Sequence, residues 1–302
     1  MIPGLEADFP MTTPPDTIHS LRHQAATTLT EAGIETPMLD ARLLLGHLLH
    51  LNATQLLMAD NDVVSGETAD AYRTLIAQRA TGIPIAYLTG EREFMGLSFH
   101  TTPDVLVPRP DTEPLVEWGI AWLQDHPQAT VADIGTGSGA IAIAVAHHAP
   151  RHWNGHLVAT DISADALAIA SANADRLLDA ERRSRLDFRL GSRTEPLVEP
   201  VDLLLTNLPY LTPGQIGENP HLIHEPLLAL DGGVDGLDLV RGVVADLPRI
   251  LTPCGAVGFE IDPSQEVAVT ELLARQLANH TISTVRDLAD DARHIVGVFT
   301  DC

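Results

Sequence analysis

The chain has 302 residues, with 41 Asp+Glu against 18 Lys+Arg, and all 18 of those bases are arginine. The missing lysine excludes a P-loop lysine on a nucleotide phosphate and a Schiff-base lysine on a carbonyl or pyridoxal group. A formal net charge of -23 argues against stable, non-specific nucleic-acid binding, which depends on basic charge releasing counterions, and disfavours anionic membrane surfaces for the same reason.

Hydrophobic residues at 45% with 20% charged allow a substantial core, and the length fits two domains. No apolar run reaches the roughly 18–20 residues of a membrane span. Residues 1–15 read as a flexible tail, Pro/Thr-rich and without the basic start and apolar stretch of a signal peptide. Two cysteines, Cys254 and Cys302, make no disulfide framework or thiolate cluster. A cytoplasmic protein, taken as a monomer, is expected.

Residues 16–84 carry a helical pattern. Between Pro37 and Leu51, Leu39, Leu43 and the group Leu44, Leu45, Leu48 and Leu49 suggest one apolar stripe. Leu75, Ile76 and Arg79 sit on another helix that ends at Gly82 and Pro84. Residues 85–110 change texture: the runs Glu93–His100 and Asp104–Val107, separated by Thr101-Thr102-Pro103, predict a hairpin. Pro108-Arg109-Pro110 then forces extended backbone before a helix opens near Asp111-Thr112-Glu113.

From residue 111 to 302 strand and helix signals alternate. Strands are expected at 131–134, 156–161, 185–190, 201–206, 256–261, 281–285 and 294–299, with helices at 140–147 and 163–178 between the early ones. This alternation predicts an α/β domain with a mostly parallel sheet and helices on both faces.

The first of these strands runs into Asp133-Ile134-Gly135-Thr136-Gly137-Ser138-Gly139-Ala140. Glycines there permit a tight turn and let a ligand approach the peptide N–H groups at the helix start. The spacing also satisfies a loose dinucleotide fingerprint, so the loop alone does not separate NAD from other nucleoside ligands. Asp161, closing the second strand, can accept both hydroxyls of a ribose; the competing reading makes it the N-cap of the next helix.

The fourth strand ends Thr206-Asn207-Leu208-Pro209-Tyr210. At the carboxyl end of a central strand this corner offers a carboxamide oxygen, a backbone carbonyl and an aromatic face. Two acceptors and a stacking plane suit a planar NH2 group, whose lone pair would then face an electrophile above the glycine loop.

Here the chain resembles the release factor glutamine methyltransferases. The resemblance rests on Leu39–Leu44, Pro84–Phe94, Val107–Glu113, the Asp133–Gly139 loop, the Asn207–Tyr210 corner and Glu225–Leu230. It implies a seven-stranded class I, Rossmann-like methyltransferase domain over 111–302, joined by the 85–110 hairpin to a substrate-recognition bundle over 16–84. It implies S-adenosyl-L-methionine bound through Gly135, Thr136, Gly137, Ser138 and Gly139, with Asp161 on the ribose and Asn207 beside the methyl group. Asn207, Leu208, Pro209 and Tyr210 would hold the substrate amide, with Asn207, Pro209 and Tyr210 as the catalytic set and no metal. The implied partner is a class I peptide chain release factor, methylated on the glutamine of its Gly-Gly-Gln motif.

Two departures from the family pattern stand out. Leu208 replaces the usual first proline, which removes a fixed φ and predicts a looser corner. Ser192 and Arg193 stand where an acid and an aromatic usually flank the adenine. A ribosomal-protein glutamine methyltransferase and an adenine amino methyltransferase are the nearest alternatives, since adenine also presents a planar NH2. A nicotinamide oxidoreductase would explain the glycines but not the Asn207 corner. Six arginines between Arg176 and Arg193 read as a solvated face, and the histidines 147, 148, 152 and 156 lack the spacing of a metal set.

Overall fold

The computed structural model describes residues 15–299 apart from 278 and 288; most of the predicted tail, and Cys302, lie outside the described residues. The chain divides into two compact units, 1–89 and 90–302.

The first unit contains five helices: α1 (Ile18–Glu31), α2 (Pro37–Leu49), α3 (Ala53–Met58), α4 (Gly66–Ala80) and α5 (Ile85–Thr89). Their starts are written locally. The Thr17 hydroxyl accepts the Ser20 N–H while the Ser20 hydroxyl serves the Thr17 N–H, and Ser65 caps α4 by accepting the Thr68 N–H. Leu21, Ala25 and Leu29 of α1 pack with Ala41, Leu44 and Leu45 of α2 and with Ala69, Tyr72 and Ile76 of α4. The Tyr72 hydroxyl donates to the Ala41 carbonyl at 2.9 Å, which satisfies its one buried polar group. The expected apolar stripe of α2 needs correction: Leu39 and Leu43 are 44% and 47% exposed. At 3.6 residues per turn, 39 and 43 share one side of the helix while 41, 44, 45 and 48 share the other, and only the second turns inward.

The second unit opens with an antiparallel hairpin, β1 (Glu91–Phe94) and β2 (Leu97–His100), paired Glu91 to His100 through Phe94 to Leu97. The hairpin turn therefore lies inside the first run read from the sequence, and Asp104–Val107 forms no strand. That turn is Met95-Gly96, both at positive φ (51° and 73°), which is the hand that matches strand twist in a two-residue hairpin loop. Glu113 accepts the Met95 N–H at 2.8 Å and ties this turn to α6 (Glu113–Trp122).

The sheet then follows: β3 (Val131–Ile134), α7 (Ala140–His148), β4 (Leu157–Asp161), α8 (Ala164–Leu177), α9 (Ala180–Ser184), β5 (Leu186–Leu190), β6 (Val201–Thr206), α10 (Pro213–Glu218), α11 (Asp238–Ile250), β7 (Leu251–Glu260), α12 (Glu266–Gln276), β8 (His280–Arg286) and β9 (Ala292–Phe299). The seven strands lie in the order β5-β4-β3-β6-β7-β9-β8, parallel except for β9, which runs antiparallel to both of its neighbours. β3 is buried at all four positions because helices cover both faces of the sheet, one core forming around α6 and α7 and the other around α11 and α12. β7 begins at Leu251, earlier than the sequence suggests. The connections leave β3 toward β4 and β5, then return to β6 on its other side. That reversal opens a crevice at the carboxyl ends of β3 and β6.

Candidate active site

A cavity of about 360 Å³ occupies this crevice, and it lies wholly within the second unit. Gly135, Thr136, Gly137, Ser138, Asp161, Ser192, Arg193, Asn207, Leu208 and Pro209 all line it. Two of the expected site residues, Gly139 and Tyr210, do not.

The glycine loop has an arrangement its spacing does not reveal. Four of its five N–H groups bond within the protein: Gly135 and Thr136 donate to the Thr160 carbonyl (both 2.9 Å), Gly137 to Asp161 Oδ2 (2.9 Å) and Gly139 to the Thr136 carbonyl (2.8 Å). The loop therefore meets the cavity with fewer free donors than its spacing suggests. Gly139 works by packing. At φ 84° its missing Cβ would stand 2.6 Å from Ile143 Cδ1 and 3.2 Å from Ala170 Cβ.

Asp133 anchors the loop from below. Its Oδ2 accepts the Thr136 hydroxyl at 2.6 Å and the Ala142 N–H at 3.1 Å, while Oδ1 is buried with no partner among the described residues. Burial dominates the two hydrogen bonds and pushes this carboxyl up to about 7.

Asp161 closes β4 at the cavity edge. Its Oδ1 accepts the Ser163 N–H and its Oδ2 the Gly137 N–H, each at 2.9 Å. The N-cap of α8 is Ser163, whose hydroxyl accepts from Ala166. Each oxygen of Asp161 keeps a further lone-pair direction, so the fixed carboxylate can still take ribose hydroxyls. Arg193 sits at φ 49°, and its carbonyl accepts the Thr160 hydroxyl at 3.2 Å. Its guanidinium lies against α11 at Gly242, where a Cβ would fall 1.7 Å from Nη1.

At the end of β6, Leu208 is 5% exposed and packs into the core around α11 and α12, its Cδ2 only 3.3 Å from where a Gly135 Cβ would stand. Packing thus restrains the corner where a proline ring would have restrained φ. A glycine-rich loop grips the next residues: Leu211 donates to the Leu230 carbonyl and accepts from the Gly232 N–H, and Gln265 Nε2 donates to the Tyr210 carbonyl at 3.0 Å. A Cβ at Gly236 (φ 74°) would be 2.1 Å from the Tyr210 carbonyl oxygen, so only glycine allows this approach.

Behind the corner is a polar chain that the sequence alone does not assemble. Asn207 Nδ2 donates to Thr112 Oγ1 at 3.1 Å, Thr112 Oγ1 donates to Glu260 Oε2 at 2.6 Å, and the Tyr210 hydroxyl donates to Glu260 Oε1 at 3.3 Å. Burial, then the Glu260 charge, raises the Tyr210 phenol well above its ordinary range. The Arg109 guanidinium, which also lines the cavity, pairs with buried Glu225, which accepts the Val107 N–H at 3.3 Å as well.

The clustered features are locally satisfied. Arg176, Arg182, Arg183, Arg185 and Arg189 pair with Glu91, Asp179, Asp175, Glu181 and Asp187. His147, His148 and His152 each meet a backbone carbonyl, and no group of three or more His, Cys, Asp or Glu among the described residues could hold a metal ion. No helix among the described residues is long and apolar enough to cross a membrane.

A seven-stranded sheet of this order, with a glycine loop, a carboxylate and an Asn-x-Pro-Tyr corner meeting at its switch point, defines a class I methyltransferase. Comparison with known proteins agrees. Residues 20–90 match the PrmC N-terminal domain and residues 119–225 the methyltransferase small domain. Curated relatives include the release factor glutamine methyltransferases of Bordetella pertussis (41% identical, covering 84% of this chain and 92% of that protein) and Moorella thermoacetica (39% identical, 85% and 89%). Among solved structures, the hMettl16 catalytic domain in complex with MAT2A 3'UTR hairpin 6 has a TM-score of 0.53 at 17% identity, over 75% of this chain and 82% of that one, a likeness of fold. The chain belongs to the release factor glutamine methyltransferase family.

Proposed function

We propose that this protein transfers a methyl group from S-adenosyl-L-methionine to the side-chain amide nitrogen of the glutamine in the Gly-Gly-Gln motif of class I release factors. The observation that carries the reading is the meeting of the Asn207–Pro209 corner and the glycine loop on one cavity. The cofactor reading draws support from the loop chemistry. With four loop N–H groups already bonded and the Asp161 carboxylate at the cavity edge, the cavity offers little to a pyrophosphate and suits a nucleoside carrying positive charge. Gly135–Ser138 and Asp161 would hold that nucleoside, with Ser192 and Arg193 on the adenine side.

When bound, S-adenosylmethionine supplies an electrophilic methyl group on a sulfonium. The protein's own task is to make a poor nucleophile attack. The lone pair of an amide nitrogen is delocalised into its carbonyl. Asn207 Oδ1 and the Leu208 carbonyl would each accept one N–H of the substrate, letting the nitrogen pyramidalise and stabilising positive charge as it develops. One N–H proton leaves during or after transfer, so Asn207 orients and need not act as a base. The helical unit, residues 16–84, would recognise the release factor, the 85–110 hairpin segment would lead into the catalytic domain of 111–302, and the enzyme would act as a cytoplasmic monomer. The local pairing of the arginines of 176–193 supports a protein substrate over nucleic acid.

The deciding experiment incubates the purified protein with labelled S-adenosylmethionine and a release factor, beside a release factor whose motif glutamine is replaced by alanine. Label in the first alone is expected. Equal label in both, or none in either, overturns the reading.

A further inference from the structure

Whether position 207 offers oxygen or NH2 to the cavity depends on which way its carboxamide is turned, and the neighbouring hydrogen bonds decide it. A planar NH2 substrate requires the oxygen. A carboxamide turned the other way would set donor against donor.

The chain behind Asn207 settles the direction. Glu260 ends β7, is 2% exposed, and as a carboxylate only accepts. It takes the Tyr210 hydroxyl on Oε1 and the Thr112 hydroxyl on Oε2, while His294 Nε2 stands 3.7 Å from Oε2, beyond hydrogen-bond reach. Thr112, 4% exposed, has a single hydroxyl proton, and the 2.6 Å contact to Glu260 uses it. Toward Asn207, Thr112 Oγ1 therefore presents lone pairs alone. The group 3.1 Å away must be a donor, so Asn207 turns its NH2 inward and its Oδ1 outward. A flip of the carboxamide would place oxygen against oxygen inside a buried site and lose the bond as well.

We infer that Thr112 and Glu260 are positioning residues whose hydroxyl–carboxylate relay fixes Asn207 with its acceptor facing the cavity. The inference rests on the proposed amide-methylating function for its catalytic consequence. The relay requires polarity at both ends. Glutamine at position 260 could donate to Thr112 Oγ1 from its own NH2, freeing the threonine proton to point at Asn207 and favouring the opposite turn of the carboxamide. Valine at position 112 keeps nearly the same shape and removes the relay altogether.

The test compares the wild type with Thr112→Val, Thr112→Ser and Glu260→Gln. It reads release-factor methylation, S-adenosylmethionine affinity by calorimetry, thermal midpoint, and solvent exchange of the Asn207 side-chain NH2 by nitrogen-15 NMR. Thr112→Val and Glu260→Gln are expected to lower kcat roughly 10- to 100-fold, with KM and cofactor affinity changed less than about threefold. Both should speed exchange of the Asn207 NH2, and Thr112→Ser should retain most of what Thr112→Val loses. Unchanged kcat and unchanged NH2 exchange in Thr112→Val, with the fold intact, overturns the relay. Loss of kcat in Thr112→Ser equal to that in Thr112→Val also overturns it, because the hydroxyl would then not matter. A wild type that leaves the release factor unmethylated sinks the functional reading instead, and the NH2 exchange still judges the relay without any turnover.

Discussion

Replacing Asn207 with alanine would leave the Thr112 hydroxyl facing an empty space and remove an acceptor from the cavity. Loss of one preorganised polar contact to the developing charge costs on the order of 100-fold in kcat in comparable sites. Turnover in a methyl-transfer assay should fall at least that far, while cofactor affinity by calorimetry stays within a few-fold. Near wild-type turnover would remove Asn207 from the catalytic set. Asp133 makes a different prediction. Its carboxyl is pushed up to about 7, above its ordinary 3.8, chiefly by burial, so the folded state holds the proton more tightly than the unfolded state. The stability this proton brings is complete below about pH 4 and is lost as pH rises through 7. An asparagine in its place would keep an oxygen for Thr136 and Ala142 and would carry no charge. In denaturant titrations, Asp133→Asn should therefore gain on the wild type steadily from about pH 4 to 7 and level off above; a gap that moves the other way with rising pH would contradict the assignment.

Among the elements, the loop from 230 to 236 acts as a clamp on the corner, and its glycines are a matter of clearance. Alanine at Gly236 would meet the Tyr210 carbonyl and the Gln265 side chain at a φ that side chains rarely adopt, and should destabilise the protein by about 2 kcal/mol or more. Gly217, inside α10 with nothing within 4 Å of where a Cβ would stand, is the matched control; alanine there should be neutral or stabilising by about 0.5–1 kcal/mol. Equal effects at the two positions would dismiss the clamp. What can be read from the chain follows the same division between local and distant. The loop after β3 and the corner after β6 are legible because each is a single continuous turn whose residue types dictate its shape. Thr112 and Glu260 are not, since the contacts that give them meaning bridge 95 and 148 positions. The sequence pattern puts the hairpin turn too late because Thr101-Thr102-Pro103 looks like a stronger breaker than Met95-Gly96, yet the latter has the handedness a tight hairpin needs. Leu39 and Leu43 show the reverse error, apolar residues that read as core although the helix turns them outward.

At the scale of the whole molecule, charge is the dominant property. A net charge of -23 with its largest arginine group neutralised by adjacent acids leaves a long-range field that attracts a basic protein surface. Raising ionic strength from about 0.05 to 0.5 M should lower kcat/KM for the release factor several-fold through slower association, with kcat little changed. A salt-independent kcat/KM would show that the acidic balance does nothing for encounter.

The adjacency of β3 and β6 has a thermal consequence. Ile134 and Thr206 stand side by side in register, and the Thr206 hydroxyl donates to the Ile134 carbonyl at 2.6 Å, at the very residues from which the glycine loop and the corner emerge. Strands flanked on both sides exchange their amide hydrogens only when the whole domain opens. The two halves of the site are therefore rooted in its slowest-exchanging backbone, and cannot drift apart while the sheet persists. On heating, cofactor binding to the second unit should survive up to that unit's unfolding midpoint and vanish with it, because both halves of the site hang from the same two paired strands.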